Sequence, residues 1–211
     1  MELSLYSFEF ESSQGKTLIF ADPHIGFEPF RGINVRSRFE RKLAEFVISE
    51  NPDLVIILGD IKEDLGLKRY TQRVLMEFFS ILKDYEVIIT KGNHDGRIEE
   101  VTENFDNISV VDYYILDEIL FMHGHKSLPE VDFKRAFLGH IHPTAIISLS
   151  GVKRRAKCFV KAKNFVILPT INPFFEGMDI REGIRLIPFL KNLKTVDLLI
   201  PPSIHIEGYP I

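Results

Sequence analysis

Five short clusters of acidic, amide and imidazole residues punctuate this 211-residue chain. They are Ala-Asp22-Pro-His24-Ile-Gly26, Leu-Gly59-Asp60, Lys-Gly92-Asn93-His94-Asp95, Met-His123-Gly-His125 and Leu-Gly139-His140-Ile-His142. Six of the seven histidines fall inside them; His205 alone lies outside and is read as non-functional. Buried ionisable groups must be paired or bound to metal, because burying them bare is expensive. A mixed oxygen and nitrogen donor set without thiolates suits Mn, Fe, Zn, Co or Ni. The donors outnumber what one ion takes, and a pair of ions roughly 3.5–4 Å apart, sharing a carboxylate, uses them all.

Taken singly, each cluster has a plain alternative. Asp-x-His and Gly-Asp are common turn or cap sequences, and a lone His-x-His puts two rings on one strand face. Position decides between the readings. Every cluster directly follows an apolar, strand-like run, and in open α/β sheets ligands gather at the carboxyl ends of strands.

The positioning elements are legible from periodicity. Leu3 to Phe10 and Thr17 to Ala21 read as strands around a turn at Ser12 to Gly15. Asn34 to Asn51 reads as an amphipathic helix carrying Phe39, Leu43, Phe46 and Val47, ended by Pro52. Leu54 to Leu58 and Glu86 to Thr90 are short buried strands, with a helix marked by Leu75, Phe78, Phe79 and Leu82 between them. This alternation predicts right-handed crossovers and a largely parallel sheet. The second half predicts a more antiparallel sheet packed on the first, with strands at 108–111, 113–116, 119–122, 136–138, 144–149, 156–161 and 165–168. The tail beyond Pro173 reads as irregular. No repeat or linker interrupts the chain, so residues 1–211 are read as one domain.

Composition narrows the class. Hydrophobic residues make up 45% and charged residues 27%, with a net charge of −4, which is ordinary for a globular protein and not that of a polybasic nucleic-acid binder. One cysteine, Cys158, excludes an internal disulfide and cysteine-rich zinc sites, and reads as a small buried hydrophobe. No apolar run approaches the roughly 20 residues that span a bilayer, and the N-terminus lacks a signal-peptide pattern. A cytoplasmic protein with no membrane contact is expected; the oligomeric state is left open.

The order Asp-x-His, Gly-Asp, Gly-Asn-His-Asp, His, Gly-His-x-His resembles the calcineurin-like metallophosphoesterase superfamily over about residues 19 to 173. The opening Ala-Asp-Pro-His-Ile-Gly-Phe-Glu and the later Leu-Pro-Thr-Ile-Asn-Pro resemble a narrower branch, the small archaeal SbcD-related phosphoesterases. The resemblance implies an α/β fold: a two-sheet sandwich of mixed central sheets flanked by helices, with two divalent ions at the strand ends, Mn²⁺ first among them. One ion would take Asp22, His24, Asp60 and His142, and the other Asp60, Asn93, His123 and His140. His123 is favoured over His125, which becomes a contact for the substrate or for a ligand. His94 would stabilise charge on the ester or protonate its leaving oxygen, and Asp95 would orient the His94 ring or bond nearby backbone. The expected reaction is hydrolysis of a phosphate ester by a hydroxide held between the metals.

Which ester is less constrained. Between Phe133 and Phe175 there is no Asp or Glu, while Lys134, Arg135, Lys153, Arg154, Arg155, Lys157, Lys161 and Lys163 all lie there. This basic stretch at 134–163 either holds a nucleic-acid backbone or forms a solvated face balanced elsewhere. Arg31 and Arg97 are further candidate phosphate contacts. Phosphodiesters are the expected substrates, with monoesters or a non-catalytic scaffold of the same fold as alternatives.

Overall fold

A computed structural model describes residues 3–30, 32, 37–149 and 151–211. After a 3-10 turn at Leu3–Tyr6 come β1 (Phe8–Ser12), β2 (Gly15–Ala21), α1 (Phe27–Phe30), α2 (Phe39–Glu50), β3 (Leu54–Leu58), α3 (Arg69–Ile81) and β4 (Glu86–Thr90). Then follow α4 (Glu99–Thr102), β5 (Ile108–Val111), β6 (Tyr113–Leu116), β7 (Ile119–Met122), β8 (Arg135–Leu138), β9 (Pro143–Leu149), β10 (Val152–Lys157) and β11 (Phe159–Ala162). The chain ends with β12 (Phe165–Ile167), β13 (Met178–Asp179), α5 (Ile180–Gly183), β14 (Thr195–Ile200) and β15 (Ile204–Pro210).

The first sheet has the order β1-β2-β3-β4-β5, parallel from β2 to β5 with β1 antiparallel at one edge. The second has the order β15-β14-β11-β12-β8-β7-β6 and is mixed: β12, β8 and β7 run parallel, and the remaining pairs antiparallel. The expected α/β sandwich of mixed sheets with flanking helices is what the chain forms.

Side-chain alternation explains why β3 reads as a continuous apolar run. Leu54, Ile56 and Leu58 point between the sheets, where they meet Phe121, Phe137 and Leu168 of the second half. Val55 and Ile57 point the other way, to Leu43 and Val47 of α2 and Leu75, Phe78 and Phe79 of α3. A strand buried on both faces has no polar phase to show. Between the sheets Phe121 and Phe137 stack with centroids 5.7 Å apart and planes at 6°. Truncating either to alanine would cost about 3–5 kcal/mol.

Several sequence expectations are corrected. The strand expected over Leu3 to Phe10 begins only at Phe8, because Leu3 turns inward to join the core under α2. The helix expected from Asn34 starts at Phe39, after Arg38 with left-handed backbone (φ 53°); residues 33–36 lie outside the described set. The run Ala156 to Lys161 is two strands that part at the buried Cys158: β10 pairs with β9, and β11 joins the large sheet. Alternating apolar residues continued across that break, so nothing in the pattern marked it. The tail beyond Pro173 is ordered. Val196, Leu198 and Ile200 of β14 are buried against Val160 and Ile167, with Ile180, Ile184 and Ile187 beside them. A third sheet, β10-β9-β13, was not anticipated. Among the described residues no helix is long and apolar enough to cross a membrane.

Candidate metal centre

The five clusters sit where five strands end: Asp22 after β2, Gly59-Asp60 after β3, Gly92 to Asp95 after β4, His123 after β7 and Gly139-His140 after β8. Parallel pairing within each sheet sends these ends to one edge of the sandwich. The backbone there is strained. Asp22, His24, Asp60, His140 and His142 all have positive φ, from 43° to 77°. Such conformations are uncommon in residues other than glycine and persist where the surroundings over-determine them.

Two glycines permit the close approach. A Cβ on Gly59 would strike the His123 ring and the Thr90 carbonyl, and one on Gly92 would strike the Asp60 carboxylate and main-chain nitrogen. Gly59 also has φ 72°.

Donor atoms converge in two groups that share Asp60: Asp22, His24, Asp60 and His142 in one, and Asp60, His123 and His140 in the other. Asp60 Oδ2 lies 3.4 Å from His123 Nε2 and 4.0 Å from His24 Nε2. Asp22 Oδ2 lies 3.6 Å from His142 Nε2. Asn93 enters the second group through Oδ1, 3.1 Å from His123 Nε2. A third set, His24, Glu63 and His94, flanks the first.

The chemistry of these atoms calls for cations. His123 Nδ1 donates to the Leu58 carbonyl at 2.9 Å, which in the neutral ring leaves Nε2 as a lone pair. That lone pair faces Asp60, the Asn93 oxygen and His140 Nδ1 at 3.2 Å. His24 Nδ1 faces Glu63 Oε2 at 2.8 Å, and its Nε2 lies 3.0 Å from His142 Nε2. Wherever two such nitrogens both present lone pairs they repel at these distances, and a proton or a metal ion between them relieves it. With no metal ion among these atoms a proton takes that place, and the titration behaviour shows where. Burial would lower the His123 imidazole, but Asp60 and Asp22 outweigh it and push it up to about 9. Burial would raise Asp60, yet His123 and His24 hold it well below the usual carboxylate range. Burial and the neighbouring His123 push His140 down to about 4. The donor set therefore fits divalent metal.

The other expected residues are placed as follows. His94 donates its main-chain N–H to Asp60 Oδ1 at 2.8 Å, and its Nδ1 meets the Glu63 carbonyl at 2.7 Å. Asp95 does not touch the His94 ring; its carboxylate is fully buried and accepts from Ile61 N and Gly92 N, both at 2.8 Å. Of the two readings of Asp95, backbone bonding is the one its geometry satisfies. The His125 ring centroid lies 5.1 Å from that of His123, but His125 joins neither donor group. Arg97 is exposed and forked onto Glu100, with Nη2 to Oε2 at 2.9 Å. Arg31 lies outside the described residues.

The basic stretch is dispersed. Lys134 and Arg135 sit at the start of β8, and Lys163 in the turn before β12, at the end of the sheet away from His140. Lys134 is paired with Glu118. Lys153, Arg154 and Arg155 project on β10, whose partner β9 begins directly after His142. Lys157 is half-buried and donates to Thr170 O at 3.0 Å and to Asn172 O.

Residues the sequence reading overlooked complete the frame. Lys62 is fully buried and donates to Asp64 O at 2.6 Å and to His94 O. The Thr170 hydroxyl donates to Asp22 O at 2.7 Å, and the Asn172 amide to Pro23 O at 2.8 Å. Phe175 stacks on His24 with centroids 4.7 Å apart. The available signal for Lys62 and Glu63 was a charged pair two residues after Asp60, within the run Asp60-Ile61-Lys62-Glu63-Asp64.

A model of the calcineurin-like phosphoesterase family matches residues 15–175, which hold all five clusters. Among solved structures, the fold is similar to that of nuclease MPE from Pseudomonas putida, at 20% identity over 92% of this chain and 96% of that one, with a TM-score of 0.62. Yfce, a phosphoesterase from E. coli, is 15% identical over 92% of this chain and 98% of that one, with a TM-score of 0.45. No curated protein matches the chain. Clusters, geometry and family match coincide, and the chain belongs to the calcineurin-like phosphoesterase family.

Proposed function

We propose that this protein is a two-metal phosphodiesterase. The observation that carries the reading is the sharing of Asp60 by two adjoining donor groups. Asp22, His24, Asp60 and His142 would hold one ion, and Asp60, Asn93, His123 and His140 the other, with Mn²⁺ the first choice and Fe, Zn, Co or Ni as alternatives that the donors also suit. Such ions would neutralise phosphate oxygens and make a bound water more acidic. A neutral Asn93 in place of another carboxylate keeps the loaded site attractive to an anion.

The chain's own groups do the rest. His94 spends Nδ1 on the Glu63 carbonyl, which leaves Nε2 as the ring nitrogen for the substrate. Protonated, Nε2 stabilises the charged ester and passes its proton to the leaving oxygen. Asp95 holds the Gly92 turn against Ile61 and so fixes the height of His94. His205 takes no part: it lies on β15, paired with Leu199 of the outer sheet.

The diester preference rests on the hairpin that rises beside His142 and carries Lys153, Arg154 and Arg155. A nucleic-acid strand reaching the metals would pass these cations, so nucleotides or nucleic acid are the proposed substrate class. Hydrolysis of bis-p-nitrophenyl phosphate and p-nitrophenyl phosphate, each with Mn²⁺, Fe²⁺, Zn²⁺, Co²⁺ or Ni²⁺ and with chelator, tests the reading. Diester cleavage abolished by chelator supports it, monoester cleavage alone replaces it with a phosphatase, and inactivity with every metal sinks it.

A further inference from the structure

Beside the metal centre lies a second cavity of about 550 Å³, walled by Tyr6, Thr144, Arg155, Lys157, Phe175 and Glu176 among others. The Phe175 ring forms the partition. It stacks on His24 at 22° and meets His142 edge-on at 74°, with centroids 4.7 Å apart in both pairs.

Three groups on the cavity wall suit an anion. Thr144 is 1% exposed, and its Oγ1 is buried with no hydrogen-bond partner. Its Cγ2 is turned to Gly177. A buried hydroxyl without a partner is costly and calls for one. Lys157 is directly opposite Thr144 in the β9–β10 ladder, so the two side chains share a face. Its ammonium donates to Thr170 O and Asn172 O, sits 5.0 Å from the Tyr6 ring centre, and has one N–H beyond those two bonds. Arg155, two residues along β10, is on that face too and exposed. Of the carboxylates nearby, Glu176 is exposed at the rim, and Asp179, paired with Thr144 across β9 and β13, is taken up by the Arg181 guanidinium.

We propose that this cavity is a phosphate subsite, which takes the phosphate next along a polynucleotide from the one at the metals. Hydroxyl, ammonium and guanidinium donors together recognise phosphate oxygens. Thr144 follows His142 by two residues, roughly 7 Å of extended chain. Phe175 touches His24 and His142 and also walls the cavity, so the two compartments adjoin and neighbouring phosphates of one strand can occupy them. The choice of a polynucleotide rests on the phosphodiesterase reading; the affinity of the cavity for an anion does not.

Dithymidine monophosphate (TpT) and trithymidine diphosphate (TpTpT) test the proposal, because whichever bond of TpTpT is cleaved, a second phosphate flanks it. The wild type should show a KM for TpTpT about tenfold below that for TpT, and Arg155→Met and Thr144→Val should each shrink that ratio to about twofold. Thr144→Val keeps the shape of its side chain and Arg155 is exposed, so folding is preserved; Lys157 is avoided because it braces Thr170. A wild type with equal KM values, or variants that keep the full preference, would overturn the subsite. If neither oligomer is cleaved with any metal, the phosphodiesterase reading fails. The subsite is then decided by calorimetric titration of the metal-loaded chain with the same two oligomers. Tighter binding of TpTpT that Arg155→Met abolishes upholds it, and indifference to the substitution refutes it.

Discussion

The main-chain N–H of His94 donates to Asp60 Oδ1 at 2.8 Å, while Asp60 Oδ2 faces both donor groups. One carboxylate thus sets the turn that carries His94 and also belongs to both groups of candidate metal donors. Replacing it with an amide separates the two jobs. Asp60→Asn keeps an oxygen for the His94 N–H and loses the charge that would join two cations. Elemental analysis should find fewer than two ions per chain, with activity down by more than about 100-fold. A variant that binds two ions and turns over normally would remove Asp60 from the centre.

His94 has the opposite profile. Its ring is turned to Glu63 through Nδ1, and its side chain belongs to neither of the groups that share Asp60. His94→Ala should therefore retain metal in full while kcat drops by about 10²–10⁴, the range for loss of a general acid. Loss of metal in step with activity would make His94 a ligand instead.

How much of this was legible beforehand follows from the kind of signal each part leaves. The five clusters were visible because polar residues placed directly after apolar runs break the pattern, and parallel strands convert that break into spatial convergence. Asp95 was visible but ambiguous: sequence adjacency to His94 suggested ring contact, whereas its carboxylate reaches Ile61 and Gly92 across the turn. Thr170 and Asn172 bond Asp22 and Pro23 some 148 and 149 positions away, and no local pattern encodes such pairing. The break at Cys158 escaped because two short strands in different sheets happen to continue one alternation. The tail escaped because its prolines suggested irregularity, while β14 and β15 accommodate theirs at strand ends.

Lys62 carries a prediction about rigidity. Its ammonium is fully buried and clamps the carbonyls of Asp64 and His94, while burial lowers its pKa against the pull of Asp64, Asp95 and Asp60. Lys62→Met fills the space but leaves two carbonyls without their donor, at a cost on the order of 1–3 kcal/mol each. Urea unfolding should show that loss. Hydrogen exchange should also accelerate at residues 92–96 more than in β3 or α3. Uniform acceleration across all three would make Lys62 a general stabiliser with no particular hold on the His94 turn.

Lys157 links the frame to pH. Burial pushes its ammonium down to about 8 from an ordinary 10.5, with Asp22 opposing only in part. Between those two values the unfolded chain holds a proton that the folded chain has released, so this group makes stability rise with pH across the window. Its contribution is fully present above pH 10.5 and lost as pH falls through 8. Cys158 acts oppositely at the alkaline end, since burial pushes its thiol up to about 12. The wild type alone would therefore show a blended curve. Subtracting Lys157→Met isolates the lysine, because Cys158 and Lys62 are common to both proteins. The stability difference, wild type minus variant, should climb between pH 8 and 10.5 by up to about 1.4 kcal/mol per pH unit. Urea unfolding at several pH values across that window measures it. A phosphate seated against the ammonium would hold the proton on, so added TpTpT should flatten the climb. A difference flat without any oligomer would mean that Lys157 keeps its proton in the folded chain, and that the brace on Thr170 and Asn172 is an ion–dipole clamp at every pH in the range.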